Sequence, residues 1–240
     1  MNFKIISSFP LLLILPAFLC AQLPLRHYIS PVKGTVLKTE ETVYKDVQLD
    51  AAGIPLLPKK SESRVVVVYE NGRPVTQTHY DFWLDEQEML SSRTEFSYEN
   101  GRLKTVKEFV NSGYGYSKQE KIKLHATFID NYVNGVLESE NVLDEDGKLL
   151  ATLKYLPDVQ LGATPLIQFD EYRFEKGELQ KRDRYGVQYD TSGRIQLHFQ
   201  IRNSDTVFYR QVTFRPPDTW RMEYFTASTR LLEAVTWKTK

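Results

Sequence analysis

The chain reads as an all-β protein, an antiparallel meander of repeated hairpins that forms either a curled open sheet or a barrel-like one. Three observations lead there. A turn phrase recurs as Tyr69-Glu70-Asn71-Gly72-Arg73 and Tyr98-Glu99-Asn100-Gly101-Arg102-Leu103, with looser copies at Asn134-Gly135, Asp146-Gly147-Lys148-Leu149, Glu175-Lys176-Gly177-Glu178-Leu179 and Ser192-Gly193-Arg194-Ile195. Between several of these turns apolar and polar residues alternate, the period of a half-buried strand. Aromatics supply 12% of the chain, with 14 tyrosines and 13 phenylalanines, which suits packed sheets better than a disordered linker.

At the start, Lys4 precedes an apolar run through Phe9, Leu11–Leu15 and Ala17–Leu19 that ends at Ala21, before Gln22. That layout is a secretory signal peptide. Pro10 and Pro16 interrupt the run and no basic cluster follows it, so a membrane-spanning helix is the weaker reading. The expected organisation is a signal peptide over residues 1–21 and one antiparallel β-domain over 22–240, with subdivision near 111–119 or 156–168 as the alternative. Cys20 offers a second address, because a lipoprotein signal also ends at a cysteine, although Leu19 is bulkier than the small residue such signals carry there. Cleavage after Ala21 leaves no cysteine, hence neither disulfide nor thiol nucleophile. Lipidation would instead make Cys20 the only membrane attachment.

Lysine plus arginine number 31 against 31 acidic residues, so the mature chain is near neutral once Lys4 is removed. That balance gives no electrostatic reason to expect nucleic acid as a partner.

Asn-Gly between extended segments favours a two-residue type I′ turn, since both central residues take positive φ. Around Asn100-Gly101 the turn sets a register in which Glu99 faces Arg102, Tyr98 faces Leu103 and Phe96 faces Thr105. The Asn71-Gly72 hairpin repeats the scheme, and the run Val65–Val68 predicts burial on both faces of its first strand. Farther on, Tyr185, Val187 and Tyr189 alternate before the turn at 190–193, and Ile195, Leu197 and Phe199 alternate after it, predicting one shared apolar face. Asn111-Ser112-Gly113-Tyr114-Gly115-Tyr116-Ser117 and Leu156-Pro157-Asp158 through Pro165 read as long loops. The last beats, Leu231, Leu232, Val235 and Trp237, are β-branched or bulky enough to predict a strand.

The phrases Tyr98-Glu99-Asn100-Gly101-Arg102-Leu103, Asp144-Glu145-Asp146-Gly147-Lys148-Leu149 and Asp190-Thr191-Ser192-Gly193-Arg194-Ile195 resemble those of degenerate hairpin-repeat proteins exported by Bacteroidota, and are similar to MORN-like and YD-like repeats. The resemblance covers roughly residues 64–199. It implies a scaffold or binding role and brings no shared catalytic residue.

The residues themselves mark no reaction. His27, His79, His125 and His198 are widely separated and form no metal-ligand spacing, so no metal or other cofactor is expected. The chain has no Gly-x-Ser-x-Gly nucleophile elbow. Asp81, Asp85 and Glu86 read as solvated acidic turn residues, since linear proximity does not make a glycosidase pair. Trp83, Tyr114 and Tyr116 are the candidate recognition group, an aromatic platform for a sugar face or a protein. The function expected is noncovalent structure or binding in the bacterial envelope, with an envelope protein, glycan or lipid as partner. The alternatives are a hydrolase assembled from distant strands and a lipid or lipoprotein carrier.

Overall fold

The computed structural model describes residues 35–239 except 46, 53–54, 57–60, 83–86, 114–120, 158, 162–163, 192–194, 203–204, 216–219 and 226–229, with backbone alone at 159–161, 164–165, 181–182, 195 and from residue 199 onward. The signal-peptide expectation and Cys20 lie outside the described residues. The strands begin with β1 (Lys38–Lys45), β2 (Gln48–Leu49), β3 (Pro55–Leu56), β4 (Ser63–Glu70), β5 (Arg73–Phe82) and β6 (Glu88–Glu99). Next come β7 (Arg102–Asn111), β8 (Ile122–Val133), β9 (Val136–Leu143), β10 (Leu149–Tyr155), β11 (Val159–Leu161) and β12 (Thr164–Glu175). The chain ends with β13 (Glu178–Tyr189), β14 (Ile195–Arg202), β15 (Asp205–Arg215), β16 (Trp220–Phe225) and β17 (Arg230–Thr239). The carboxy-terminal apolar segment is therefore a strand, as its composition predicts.

The protein is all-β and antiparallel. Its 15-stranded sheet runs β10-β9-β8-β7-β6-β5-β4-β1-β17-β16-β15-β14-β13-β12-β11, and β10 also pairs with β12. That extra pairing returns the order to its start, giving a wide, barrel-like ring in place of a tight small barrel, with β11 beside it and β2–β3 as a separate pair. A ring leaves no long strand edge open to another chain. Pro157, which lacks an amide, interrupts the line from β10 to β11, and the Leu156 N–H just before it still donates to the Gln168 carbonyl at 2.9 Å.

Consecutive strands run up and down, so the turns fall alternately on two rims. One rim carries the turns Asn71-Gly72, Asn100-Gly101 and Asn134-Gly135. The other carries the β5–β6, β7–β8, β9–β10 and β12–β13 connections. Asn71, Asn100 and Asn134 have φ of 52°, 49° and 50°, each followed by a glycine at positive φ, as a type I′ turn requires.

The register departs from the simple hairpin at a recurring place. Glu99 faces Arg102 and Tyr98 faces Leu103, but a bulge follows, and Phe96 faces Val106 while Thr105 faces Ser97. The extra residue is Lys104. A bulge between Gln188 and Tyr189 has a larger effect: His198 stands opposite Val187, and Leu197 and Phe199 stand opposite Gln188 and Gly186. Leu197 and Phe199 thus fall on the other face from Val187, because a one-residue shift exchanges the faces of a strand. The four valines also divide unequally. Val66 and Val67 are buried, Val65 is half-buried and Val68 is exposed.

The buried face lines the ring. Its apolar cluster includes Val67, Tyr69, Phe96, Leu103, Val106, Phe128, Leu153 and Phe169. Each fully buried side chain of this kind contributes about 1.5–3 kcal/mol. The opposite face carries Arg93, Glu95, Lys107 and Lys154 among threonines and asparagines, with Arg93 and Glu95 paired at 2.7 Å.

Candidate functional site

Three constellations emerge from this frame, one on each rim and one midway along the inner wall. On the first rim the repeated phrase interlocks successive hairpins. The Arg73 guanidinium lies 5.5 Å from the centre of the Tyr98 ring, and Arg102 lies 5.6 Å from that of Tyr132. Tyr98 also donates its hydroxyl proton to the Pro74 carbonyl at 2.8 Å. Burial pushes the Tyr98 phenol up to about 12 against the opposing pull of Arg73. Each arginine also covers the next turn's glycine. A Cβ on Gly101 would meet Arg73 at 3.3 Å, and one on Gly135 would meet Arg102 at 2.9 Å.

On the second rim, the ends of β1, β4 and β5 enclose an open recess of about 360 Å³ lined by Val43, Lys45, Glu62, Ser63, Val65, His79, Asp81 and Phe82. The ladder fixes these neighbours, since Ser63 stands opposite both Val43 and Asp81, and Val65 opposite His79. Lys45 and Glu62 pair at 2.8 Å across the mouth. His79 Nε2 is buried without a hydrogen bond, and Asp81 Oδ1 lies 3.5 Å from that same nitrogen. The recess therefore offers an imidazole, a hydroxyl and a carboxylate beside the apolar walls of Val43, Val65 and Phe82.

Midway along the inner wall, one rung crosses five strands. Asp130 stands opposite Glu140, Glu140 opposite Leu153, Leu153 opposite Glu171, and Glu171 opposite Asp183. All five are buried, with exposures of 1%, 0%, 1%, 1% and 1% in that order. Burial pushes the Asp130 carboxyl up to about 6, while the facing Glu140, the hydrogen bond from Tyr132 and the charge of Lys104 hold it down. The Tyr132 hydroxyl donates to Asp130 Oδ2 at 3.2 Å, the Tyr185 hydroxyl to Glu171 Oε2 at 3.1 Å, and Arg173 reaches the same Glu171 oxygen at 2.9 Å. An aromatic rung, Tyr155–Phe169–Tyr185, lies alongside, with ring centres 5.6 Å and 5.1 Å apart. Burial and the neighbouring Glu140 and Asp130 raise the Tyr155 phenol well above its ordinary range. On the outer face, Asp170 accepts a two-point hydrogen bond from Arg184 at 2.8 and 3.1 Å.

Trp83, Tyr114 and Tyr116 lie outside the described residues, as do Asp85 and Glu86. The strands that flank their segments end on the second rim, the rim of the recess. Asn111 holds the base of the 114–120 segment from both sides, accepting from the Gly113 N–H at 3.0 Å and the Lys121 N–H at 3.1 Å. Its own amide donates to the Leu90 carbonyl at 2.8 Å. Sequence reasoning missed Asn111, Ser63 and the carboxylate rung. The available signal was ladder position, which the bulges obscure. His79, which the sequence places in no ligand pattern, and Asp81, read as a turn residue, are strand residues that meet in the recess. Among the described residues, no group of three His, Cys, Asp or Glu side chains is arranged to hold a metal ion.

No family model matches the chain, and no curated protein matches it. It is similar to a porin-like protein from Bacteroides uniformis, with 10% identity and a TM-score of 0.43 over 85% of this chain and 96% of the other. A porin-like protein from Bacteroides vulgatus is similar over 85% of this chain and 98% of its own, with 8% identity and a TM-score of 0.29. A domain provisionally named as an outer membrane lipoprotein-sorting protein, from Vibrio parahaemolyticus, is similar over 85% and 82%, with 6% identity and a TM-score of 0.31. The likeness is weak and of low identity, and it assigns no residue a role.

Proposed function

We propose that the chain is an exported, noncovalent binding protein of the bacterial cell envelope, recognising an envelope protein, glycan or lipid through its second rim. The observation that carries this reading is the convergence on that rim of the polar recess and the two strand-end pairs from which the segments bearing Trp83, Tyr114 and Tyr116 depart. A pocket with a few convergent polar groups on apolar walls is the usual form of a small-ligand site. Export rests on the apolar leader ending at Ala21.

The reading takes the outer wall as facing water. A barrel that spans a bilayer turns an apolar band outward, and a lysine or arginine at its midplane costs about 2–4 kcal/mol. Arg93, Lys107 and Lys154 on the outer face fit water instead.

A hydrolase draws on one specific observation, the meeting of Ser63, His79 and Asp81. In a serine triad the acid holds Nδ1 of the histidine and leaves Nε2 for the hydroxyl. Here the acid lies beside Nε2, which favours binding over cleavage. A lipid carrier calls for a largely apolar cavity, whereas Val106, Phe128 and Leu153 are covered.

The test is photo-crosslinking in the native host, with a benzophenone side chain placed at Tyr114 and, separately, at Lys107 on the outer wall. A discrete adduct with an envelope component from position 114 and none from position 107 is expected. Adducts from both positions or from neither would contradict the reading. Ester or glycoside turnover by the purified protein that is lost in His79→Ala would replace it with the hydrolase.

A further inference from the structure

The recess between β1, β4 and β5 opens on the second rim and has a closed floor. Val43, Ser63 and Asp81 form one rung of the ladder, and Val65 with His79 forms the next. Val65 packs against the buried apolar cluster, so the recess ends there. A blind recess admits the end of a chain and not its middle. The frame is set by backbone bonds. The Glu62 N–H donates to the Val43 carbonyl at 2.8 Å and the Phe82 N–H to the Glu62 carbonyl at 3.2 Å, which ties β1 and β5 to the segment entering β4. A site held in this way has little conformational freedom to lose on binding. Its volume of about 360 Å³ lies at the small end of the range for ligand pockets. That is space for about a dozen waters at ~30 Å³ each, enough for one sugar ring.

The lining selects for hydroxyl groups. His79 Nε2 is buried and makes no hydrogen bond, with Asp81 Oδ1 at 3.5 Å, although the side chain as a whole is 40% exposed. The ring therefore gains a bond by turning its covered nitrogen toward a ligand, and its exposed edge leaves room to turn. A hydroxyl serves either form of the imidazole. It accepts from an Nε2–H, keeping its own proton for Asp81, or donates to a bare Nε2. A phosphate or carboxylate oxygen has no proton to give. The charges point the same way, since Lys45 faces two carboxylates, Glu62 and Asp81, and the excess of negative charge disfavours an anion. The buried Ser63 adds a hydroxyl, and Val43, Val65 and Phe82 add apolar surface. Hydroxyls around an edge and C–H groups on the faces are what a pyranose presents to such a lining.

We propose that the recess holds a neutral pyranose, the terminal unit of an envelope glycan, with one sugar hydroxyl as the shared partner of His79 and Asp81. The assignment rests on the binding role of the second rim and narrows its partner to a glycan.

NMR titration of the isotope-labelled protein tests it, with the methyl pyranosides of glucose, galactose, mannose and N-acetylglucosamine and the corresponding free sugars as probes. At least one glycoside should shift the amide signals of Ser63, Val65 and Asp81 and the ring signals of His79 saturably, with a Kd in the millimolar range or below. Signals of the outer wall, such as Lys107, should stay in place. Glucuronate, glycerol phosphate and choline should bind at least roughly tenfold more weakly, and Asp81→Asn should lose roughly tenfold in affinity for the glycoside, as expected for one hydrogen bond to a charged group. No response to any glycoside, tighter binding of a charged probe, or binding of free sugars alone would overturn the proposal, and so would a folded Asp81→Asn protein of unchanged affinity. If that variant does not fold, the wild-type panel still decides. A discrete adduct from position 114 beside an inert recess would leave the binding role of the rim standing and remove only the glycan.

Discussion

Two stretches of the inner wall follow one alternation and carry opposite chemistry. From β4 to β8 the inward positions hold Val67, Phe96, Leu103, Val106 and Phe128; from β8 to β13 the same wall, equally buried, holds Asp130, Glu140, Glu171 and Asp183. Burial here is set by parity. Once turns and neighbours fix the register, every second side chain enters the ring whatever its polarity. An apolar residue placed there stabilises, whereas an acid placed there must find a proton, a donor or a cation. The first stretch should therefore be strong and indifferent to pH, and the second should depend on it.

The sharpest way to break this comparison is to remove core volume. Phe128→Ala should destabilise by about 3–5 kcal/mol in urea unfolding, by nearly the same amount at pH 5 and pH 8. A pH-dependent loss would mean that the two stretches are not distinct. Next in size is Asp130→Asn. The carboxyl's pKa is higher folded than unfolded, so its stabilising effect is complete below about pH 4 and gone above about pH 6. The wild type should thus lose of the order of 2 kcal/mol over that window, and the variant should lose much less. An unchanged profile in the variant would place the response on other groups.

Asn111→Ala should cost about 1–2 kcal/mol, because it strands two amides and a carbonyl at the loop base; exchange at Gly113 and Lys121 should rise with it. The smallest effect compares two turn glycines at similar positive φ, Gly135 at 85° and Gly147 at 80°. Alanine at either is strained by about 1 kcal/mol. Gly135→Ala should cost about 0.5–1 kcal/mol more, since the new Cβ displaces Arg102 from Tyr132, while Gly147 has open space around it. Equal costs in paired thermal unfolding would show that the interlock contributes nothing.

What the sequence made legible follows the range of the forces involved. Asn-Gly turns are local, so the pairs Glu99–Arg102 and Tyr98–Leu103 could be read from a few residues. The bulge at Lys104 could not, because an extra residue carries no mark of its own, and the pairing of Phe96 moved by one position. The same blindness placed Leu197 and Phe199 on the wrong face. Ring closure was hidden for a different reason. Leu156 and Pro157 read as a break, yet β10 and β11 on either side of them both attach to β12. The carboxylate rung depends on four ladders at once, and acids in a strand read by themselves as water-facing. The aromatic recognition group was chosen from its loop composition, and what the fold adds is the shared rim and the Asn111 clamp.

The central claim is that the meander closes through β10 and β12 into a ring. Backbone NOEs in the isotope-labelled protein at pH 5 test it most directly. Closure predicts cross-strand contacts between Thr152 and Tyr172 and between Lys154 and Asp170, alongside those of the Glu99–Arg102 hairpin. Hairpin contacts present with the β10–β12 contacts missing would show an open sheet and contradict the account.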